Sequence, residues 1–324
     1  MKRLDQIRFD LRLPAGRRFQ VVGLGLNAVD WIVVLGAYPT PGGKSRIEQS
    51  MQLGGGPVAT ASALCGRFGL ETRYVGRVGD DDLGRFSLAD LKREPMDISC
   101  VDTVPGAFSQ YAVILVDRPT GERTVLWDRD AKLLYKPGEL KKEWIIQGQI
   151  LHLDGLDIDA SIQAARWARE AGMKVALDID KPEPGVRKLL RYTDFAIPSQ
   201  DFVIELSSDH TWRTGLRELG SLTQGFVAVT RGKDGVAVLF EGEVIEIPGF
   251  VGEVIDTTGA GDVFHGAFIY ALFQDWTALQ CVHFASAAAM KACGRFGARA
   301  SIPALETVRS FLERAPGPLS SSPT

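Results

Sequence analysis

Short runs rich in β-branched residues recur along the chain: QVVGLGL from Gln20, TRYVGRVG, QILHLDG, KVALDI, DFAIPS and FVAVTRG, with amphipathic stretches between them. Parallel strands must be joined by crossovers long enough to hold a helix, so this alternation restricts the chain to an α/β architecture, a mostly parallel sheet with helices on both faces. Helices are expected through Pro57–Phe68 and near Leu83–Glu94. The rhythm breaks twice. DWIVVLG and SRIEQSMQL follow each other between Asp30 and Leu53, and SQYAVILVD is joined to ERTVLWD by RPTG between Ser109 and Asp128. Both pairs read as hairpin-like strands, and residues of about 31–53 and 105–130 are expected to form a small sheet projecting as a lid.

Composition narrows the function classes. A chain of 324 residues, 45% of them hydrophobic, buries roughly three quarters of its unfolded surface, which excludes a disordered or disulfide-stapled molecule. With 37 basic and 40 acidic side chains and no dense Lys/Arg stripe, nucleic acid is not an expected partner. Cys65, Cys100, Cys281 and Cys293 lie far apart without a CxxC pair, which suits buried, reduced thiols in a cytoplasmic protein. MKRLDQIRFDLRLPAGRR alternates charge with single apolar residues, so no signal-peptide core forms, and no run of 18 apolar residues suggests a membrane span. Residues 1–18 are expected to be a flexible basic arm, residues 19–314 one α/β domain, and 315–324 (PGPLSSSPT with Ala315) a disordered tail.

The richest stretch is Asp256-Thr-Thr-Gly-Ala-Gly-Asp262. The segments Val263–Phe273 and Ala278–Cys293 behind it are small or apolar on nearly every face and read as buried helices. Small residues at a helix start let the backbone approach an anion, which meets free N–H groups and the positive end of the helix dipole. Taken alone, Asp262 reads as a helix N-terminal stabiliser worth up to ~1 kcal/mol, and Asp256 and the threonines as turn and capping residues. Two rival motifs fail on context. Gly23-Leu-Gly25-Leu-Asn-Ala28 imitates a dinucleotide fingerprint, but strand-like VDWIVVLG follows where a helix must begin. PTPGGKS has Tyr38 where a P-loop places its first glycine, so Lys44 reads as a lid residue. His152, His210, His265 and His283 have no metal or triad spacing and read as structural.

DTTGAGDVFHGAF resembles the C-terminal signature of the PfkB (ribokinase-like) family of carbohydrate and nucleoside kinases. Gly54-Gly-Gly-Pro57, RVGDDDLG at Arg77–Gly84, VTRGKDGVAV at Val229–Val238 and GARASIP at Gly297–Pro303 follow the family's order and spacing, and the resemblance covers roughly residues 20 to 312. It implies a ribokinase-like three-layer α/β/α sandwich with a small β-sheet lid. It also implies transfer of the γ-phosphoryl of Mg·ATP to a primary hydroxyl of a small sugar or sugar acid. The backbone of Gly259, Ala260 and Gly261 would then be the anion hole. Asp262 would be the general base, kept ionised at pH 7 by its low intrinsic pKa.

The resemblance further assigns Thr230, Gly232 and Gly235 to the nucleotide, with Thr258 expected beside them, and Asp30 to the sugar. Gly54, Gly55 and Gly56 would let the main chain pass beside the sugar, Asp154 would face the same cleft from the end of a central strand, Arg129 on the lid would reach an anionic group, and Lys44 on the lid is expected on the substrate side. Asp256, Gly297 and Ser301 correspond to a monovalent cation site, with K⁺ as activator. An exposed lid sheet has unpaired edges, so a homodimer through the lid is expected. Several positions depart from the pattern. Gly56-Pro57-Val58-Ala59-Thr60 lacks the usual asparagine, and Ser199-Gln200-Asp201-Phe202 replaces the NxxE that organises Mg²⁺, leaving Asp201 or Glu205 as substitutes. GGGPxATA and TTGAGDVFHGA are similar to the sulfofructose-kinase branch, yet Leu153–Asp157 shows no sulfonate-reading arginine, and LHLDG is nearer 2-keto-3-deoxygluconate kinases. A nucleoside kinase, or an inactive sugar- or nucleotide-binding protein on the same fold, is the alternative.

Overall fold

The computed structural model describes residues 4–314. In chain order the strands among them are β1 (Val21–Leu24), β2 (Ala28–Leu35), β3 (Ile47–Gly55), β4 (Thr72–Gly79), β5 (Asp97–Val104), β6 (Tyr111–Asp117), β7 (Arg123–Asp128), β8 (Ile150–Leu153), β9 (Lys174–Leu177), β10 (Phe195–Ala196), β11 (Phe226–Thr230), β12 (Val236–Phe240) and β13 (Glu243–Ile247). Nine of these form one sheet ordered β13-β12-β11-β10-β9-β8-β1-β4-β5. It is parallel from β5 to β11, and β12 and β13 close one edge antiparallel. Chain order reverses direction between β8 and β1, so a crevice opens beyond their carboxyl ends, the place where doubly wound sheets bind ligands.

The remaining strands make the lid, ordered β3-β2-β6-β7. Both expected hairpin-like pairs are antiparallel, and β2 joins β6 in parallel register, Asp30 opposite Ala112. The lid starts earlier than residue 31. Asp30 is the third residue of β2, separated from β1 by residues 25–27. Edge strand β5 is absent from the runs that read as strands, because DISCVDTV is only half apolar and half buried.

Helices fill both faces. Pro57–Arg67 and Asp82–Leu91 fall where expected, and the apolar pair is Ala260–Leu272 and Ala278–Ala292. The latter two pack with Pro57–Arg67 over one face, around Phe264, Phe268, Phe284 and Cys65. Helix Ile158–Glu170 and its neighbours cover the other, around Leu151, Leu153, Val175 and Phe202. All four cysteines are free thiols, and Cys293 is half-buried.

The N-terminal segment corrects an expectation. Leu4 is 1% exposed, and Ile7, Phe9, Leu11 and Leu13 pack against the core. The Ala278 and Leu279 amides donate to the Ile7 and Leu4 carbonyls at 2.8 and 3.2 Å. Phe9 sits edge-on against Phe195, Phe226 and Phe268. The single apolar residues between the charges, too sparse for a signal peptide, are one face of an extended segment that fills a groove in the core. The tail expected to be disordered, 315–324, lies outside the described residues.

Candidate active site

Helix Ala260–Leu272 starts beside the crevice, and its first turn decides what can approach. Gly259 caps it at φ 76°, and a Cβ there would stand 2.4 Å from Ala298 Cα, so only glycine fits. A Cβ on Gly261 would meet nothing within 4 Å, so that side of the turn is open. Of the three expected amides, Ala260 N–H already donates to the Thr257 carbonyl at 3.3 Å. Gly259 and Gly261 leave the orphan donors of a helix start facing outward.

Asp262 follows in that turn, partly exposed on one side but otherwise walled in. Burial, then the like charges of Asp178, Asp180 and Asp30, push its pKa to about 8, while His265 pulls the other way. The expectation that a low intrinsic pKa keeps this acid ionised is therefore overturned for the free protein. Four carboxylates brought from β2, the β9 loop and the helix share one cleft.

His265, expected to be structural, lies one turn on and pairs its Nε2 with Asp178 Oδ1 at 3.2 Å. Burial opposes its charge, but Asp178 outweighs this and raises the imidazole pKa; burial likewise opposes Asp178, which the imidazole holds below the carboxylate range. His152 stacks on His265 at 5.6 Å, and burial drives its own pKa to about 4. Asp180 rises to about 6, through burial first and then Asp178.

Toward the lid, Asp30 is 5% exposed, and burial lifts it to about 6 against the pull of Arg299. Gly55, adjacent across β3, passes so close that a Cβ would stand 1.9 Å from Asp30 Oδ2; one on Gly54 would strike Asp90 and Arg299, and one on Gly56 the backbone of Asn27. Sequence reasoning misses Arg299, although it lies within GARASIP. It is 1% exposed, pairs with Asp90 at 2.8 Å, and donates to the Gly55 carbonyl and Asn27 Oδ1. It fastens the glycine run beneath Asp30.

Asp154, at the end of β8, accepts from the Leu26 and Leu156 amides at 2.6 and 3.1 Å. Burial lifts it to about 6, against those amides and Arg129. It lines a pocket at the β1/β8 crevice with Asn27, Arg77, Gln110, Arg129 and Tyr135. Arg77 Nε, Gln110 Oε1, Arg129 Nε and the Tyr135 hydroxyl are buried there without a hydrogen-bond partner. Lys44 is exposed in the β2–β3 connection, outside this constellation.

Thr230 ends β11, and Gly232 and Gly235 turn the chain into β12 with positive φ. Arg231 stacks on Trp212 at 4.1 Å and binds Glu246 and Gln200, which stiffens the turn. Thr258, expected on the nucleotide, gives its hydroxyl to Asp256 Oδ1 at 2.6 Å.

Asp256 also accepts from the Thr258 and Gly297 amides, while Ser301 donates to the Ala298 carbonyl. Asp256 and Gly297 thus pin the loop together at the positions expected for a monovalent cation, with Ser301 bonded to Ala298 beside them. Asp201, expected as a substitute for the acid that organises Mg²⁺, stands in the first turn of helix Gln200–Leu206, where its charge is felt by Asp180, and carboxylate oxygens of this kind suit Mg²⁺ together with substrate phosphates.

A glycine-cradled helix start beside an acid, under a β lid at the switch point of a parallel sheet, defines a phosphotransferase with an alcohol acceptor. The chain belongs to the pfkB family of carbohydrate kinases, whose model matches residues 25–305. An ATP-dependent ribose-1-phosphate kinase of Halopiger xanaduensis is 29% identical over 303 residues, covering 89% of this chain and 97% of the relative. A 5-dehydro-2-deoxygluconokinase of Geobacillus kaustophilus is 26% identical, covering 81% and 85%. The ribokinase of Arabidopsis thaliana, solved with ribose and ATP, superposes with a TM-score of 0.76 at 24% identity, over 92% of this chain and 99% of that one. Among the described residues no helix is long and apolar enough to cross a membrane.

Proposed function

We propose that this carbohydrate kinase transfers the γ-phosphoryl group of Mg·ATP to a primary hydroxyl of a small sugar or sugar acid. One observation carries the reading: Asp262 occupies the same helical turn as Gly261, whose outer side is open, and feels the charge of Asp30 from the lid sheet. In this mechanism Gly259 and Gly261 N–H groups receive the equatorial oxygens of the moving group, a contact worth ~3 kcal/mol per donor. The sugar oxygen bonds to phosphorus, the bond to the bridging oxygen of ADP breaks, and the hydroxyl proton passes to the Asp262 carboxylate. Asp262 must be ionised for that, so its high pKa in the empty cleft favours turnover on the alkaline side of neutrality.

Asp30 and the glycine run would hold sugar hydroxyls; Thr230, Gly232 and Gly235 would hold the nucleotide. Asp201 would hold Mg²⁺ with the ATP phosphates, and the ion when bound would neutralise phosphate charge. Arg129 and Asp154 would read the far end of the sugar. The orphaned Arg129 Nε favours an acceptor carrying a carboxylate or phosphate, in keeping with the sugar phosphate and gluconate derivative named in the two relatives. The lid leaves Trp31, Ile47, Leu126 and Trp127 exposed, which supports a lid-to-lid homodimer.

The test is ADP release with ribose, ribose 1-phosphate, fructose and 5-dehydro-2-deoxygluconate. Sugar-dependent turnover supports the reading; ATP and sugar binding without turnover on any of them replaces it with a binding protein.

A further inference from the structure

His265 and Asp178 take no part in the reaction above. Alternate residues of a strand share one face, so Ala176 in β9 and Asp178 just past its end look the same way as His152, which lies opposite Ala176 on β8. Ala176 packs in one cluster with Phe264 and Phe268, so helix Ala260–Leu272 covers that face. On the helix, Asp262 and His265 stand three residues apart and share one side. Sheet and helix thereby bring His265 Nε2 to 3.2 Å from Asp178 Oδ1, one turn below Asp262.

The pair is closed in. His265 is 3% exposed and His152 1%, and the two rings lie 5.6 Å apart and 22° from parallel. Neither nitrogen of His152 has a hydrogen-bond partner, and burial keeps that ring neutral. It shuts water away from one side of His265 without setting a second cation against it. Titratable groups on the helices packed alongside turn elsewhere: Cys65 gives its thiol to the Gly266 carbonyl, Cys281 to the Trp276 carbonyl, and His283 meets Phe250. The charges that bear on His265 are those of Asp178, Asp180 and Asp262, all negative. Asp178 is felt as well by Asp154 at the end of β8. Asp262 in turn meets Asp178, Asp180 and Asp30, with His265 set against them.

We propose that His265 is a positioning residue: clamped by Asp178 and backed by the His152 ring, it is the fixed positive charge that decides when Asp262 can take the proton of the sugar hydroxyl. The proposal rests on the kinase reading and deepens it. Burial resists charge on the imidazole and Asp178 overcomes that resistance, so the two stand in the fold as imidazolium and carboxylate. The imidazolium then offsets part of the field of Asp178, Asp180 and Asp30, and Asp262 ionises at a lower pH than those acids alone would allow. An apolar side chain would fill the same space and leave Asp178 buried without its counter-charge.

The test is the pH profile of kcat/KM for sugar-dependent ADP release in wild type, His265→Gln and the double variant with His265→Gln and Asp178→Asn. Glutamine can still donate to Asp178 but carries no charge. The rising limb of His265→Gln should move up by about one pH unit, so that kcat/KM at pH 7 falls about tenfold. Its plateau above the limb should stay within about threefold of wild type. Because Asp178 pushes Asp262 harder than His265 pulls it, the double variant should bring the limb back to the wild-type pH or below. A ring that merely packs predicts an equal loss at every pH in both variants. That result, or a limb that stays in place in His265→Gln, overturns the proposal. Should His265→Gln fail to fold, ¹⁵N NMR of the four histidines in wild type decides it: one imidazolium should persist at pH 7.5, and a spectrum without one overturns the proposal. A wild type that turns over no sugar overturns the kinase reading itself, a result distinct from an active wild type whose profile ignores His265.

Discussion

Replacing Asp262 with asparagine should make the protein more stable and far less active, and the structure sets both signs. The carboxyl is raised from 3.8 to about 8 by burial and by Asp178, Asp180 and Asp30. A group whose folded pKa lies above its unfolded value contributes stability that is fully present below about pH 4 and is lost as pH rises through about 8. At roughly 1.4 kcal/mol per unit, the cost of keeping this acid in the fold at pH 8 has an upper bound of about 5 kcal/mol; water reaching the open side of the cleft reduces it to about 1–2 kcal/mol. The asparagine side chain carries no charge to desolvate, so the variant should melt a few degrees above wild type at pH 8, by about 2–6 °C. The gap should close toward pH 4. In the same variant kcat should fall by ~10² or more, since nothing accepts the hydroxyl proton. Melting curves of both proteins from pH 4 to 9, with ADP release at pH 8, provide the check. A melting difference that does not grow with pH would refute the crowding argument, and near-normal turnover would remove Asp262 from the mechanism.

Three further outcomes follow from neighbouring groups. Because Asp262 must ionise among like charges, kcat/KM should rise between pH 6 and 8, and Asp180→Asn should move that limb to lower pH; a limb that stays put or moves upward contradicts the coupling. Gly55→Ala puts a methyl 1.9 Å from Asp30 Oδ2, so the sugar KM should rise about tenfold with the ATP KM unchanged, and equal rises in both would separate Asp30 from the sugar. Phe9→Ala removes a ring packed edge-on against three others and should cost about 2 kcal/mol in denaturant unfolding while leaving kcat intact; an unchanged midpoint would mean that the arm does not hold the core.

Much of this is legible in the sequence because its signals are local. The periodic change from strand to helix, and the glycines before helix Ala260–Leu272, depend on residues a few positions apart. What escapes is long-range. Asp178 and His265 come from different elements, and nothing in LDID or FHGAF announces their partner. Arg299 reads as one more loop cation until Asp90 and Asn27 are seen around it. Asp262 misleads for the same reason: the ordinary aspartate pKa is a property of a solvated side chain, while its folded value is set by burial and by three acids that the fold delivers from elsewhere. The arm misleads differently, since five spaced apolar residues look too few to dock until a groove of matching length exists.

The charge arrangement of the cleft also constrains the order of events. Asp30, Asp178, Asp180 and Asp262 converge where a phosphate must pass, and His265 and Arg299 compensate them only in part, each already held by an acid. A tetra-anionic nucleotide entering alone would meet that field at short range with little water to screen it. Entry with its metal ion removes most of the repulsion, and the same positive charge lowers the proton affinity of the acids around it. Asp262 would thereby pass from protonated to ionised as the nucleotide arrives, so that the base becomes active only in an occupied cleft. Proton release measured on Mg·ATP binding in weak buffer at pH 7 should therefore be substantial in wild type and small in Asp262→Asn. Equal release from both proteins would place the titrating group elsewhere.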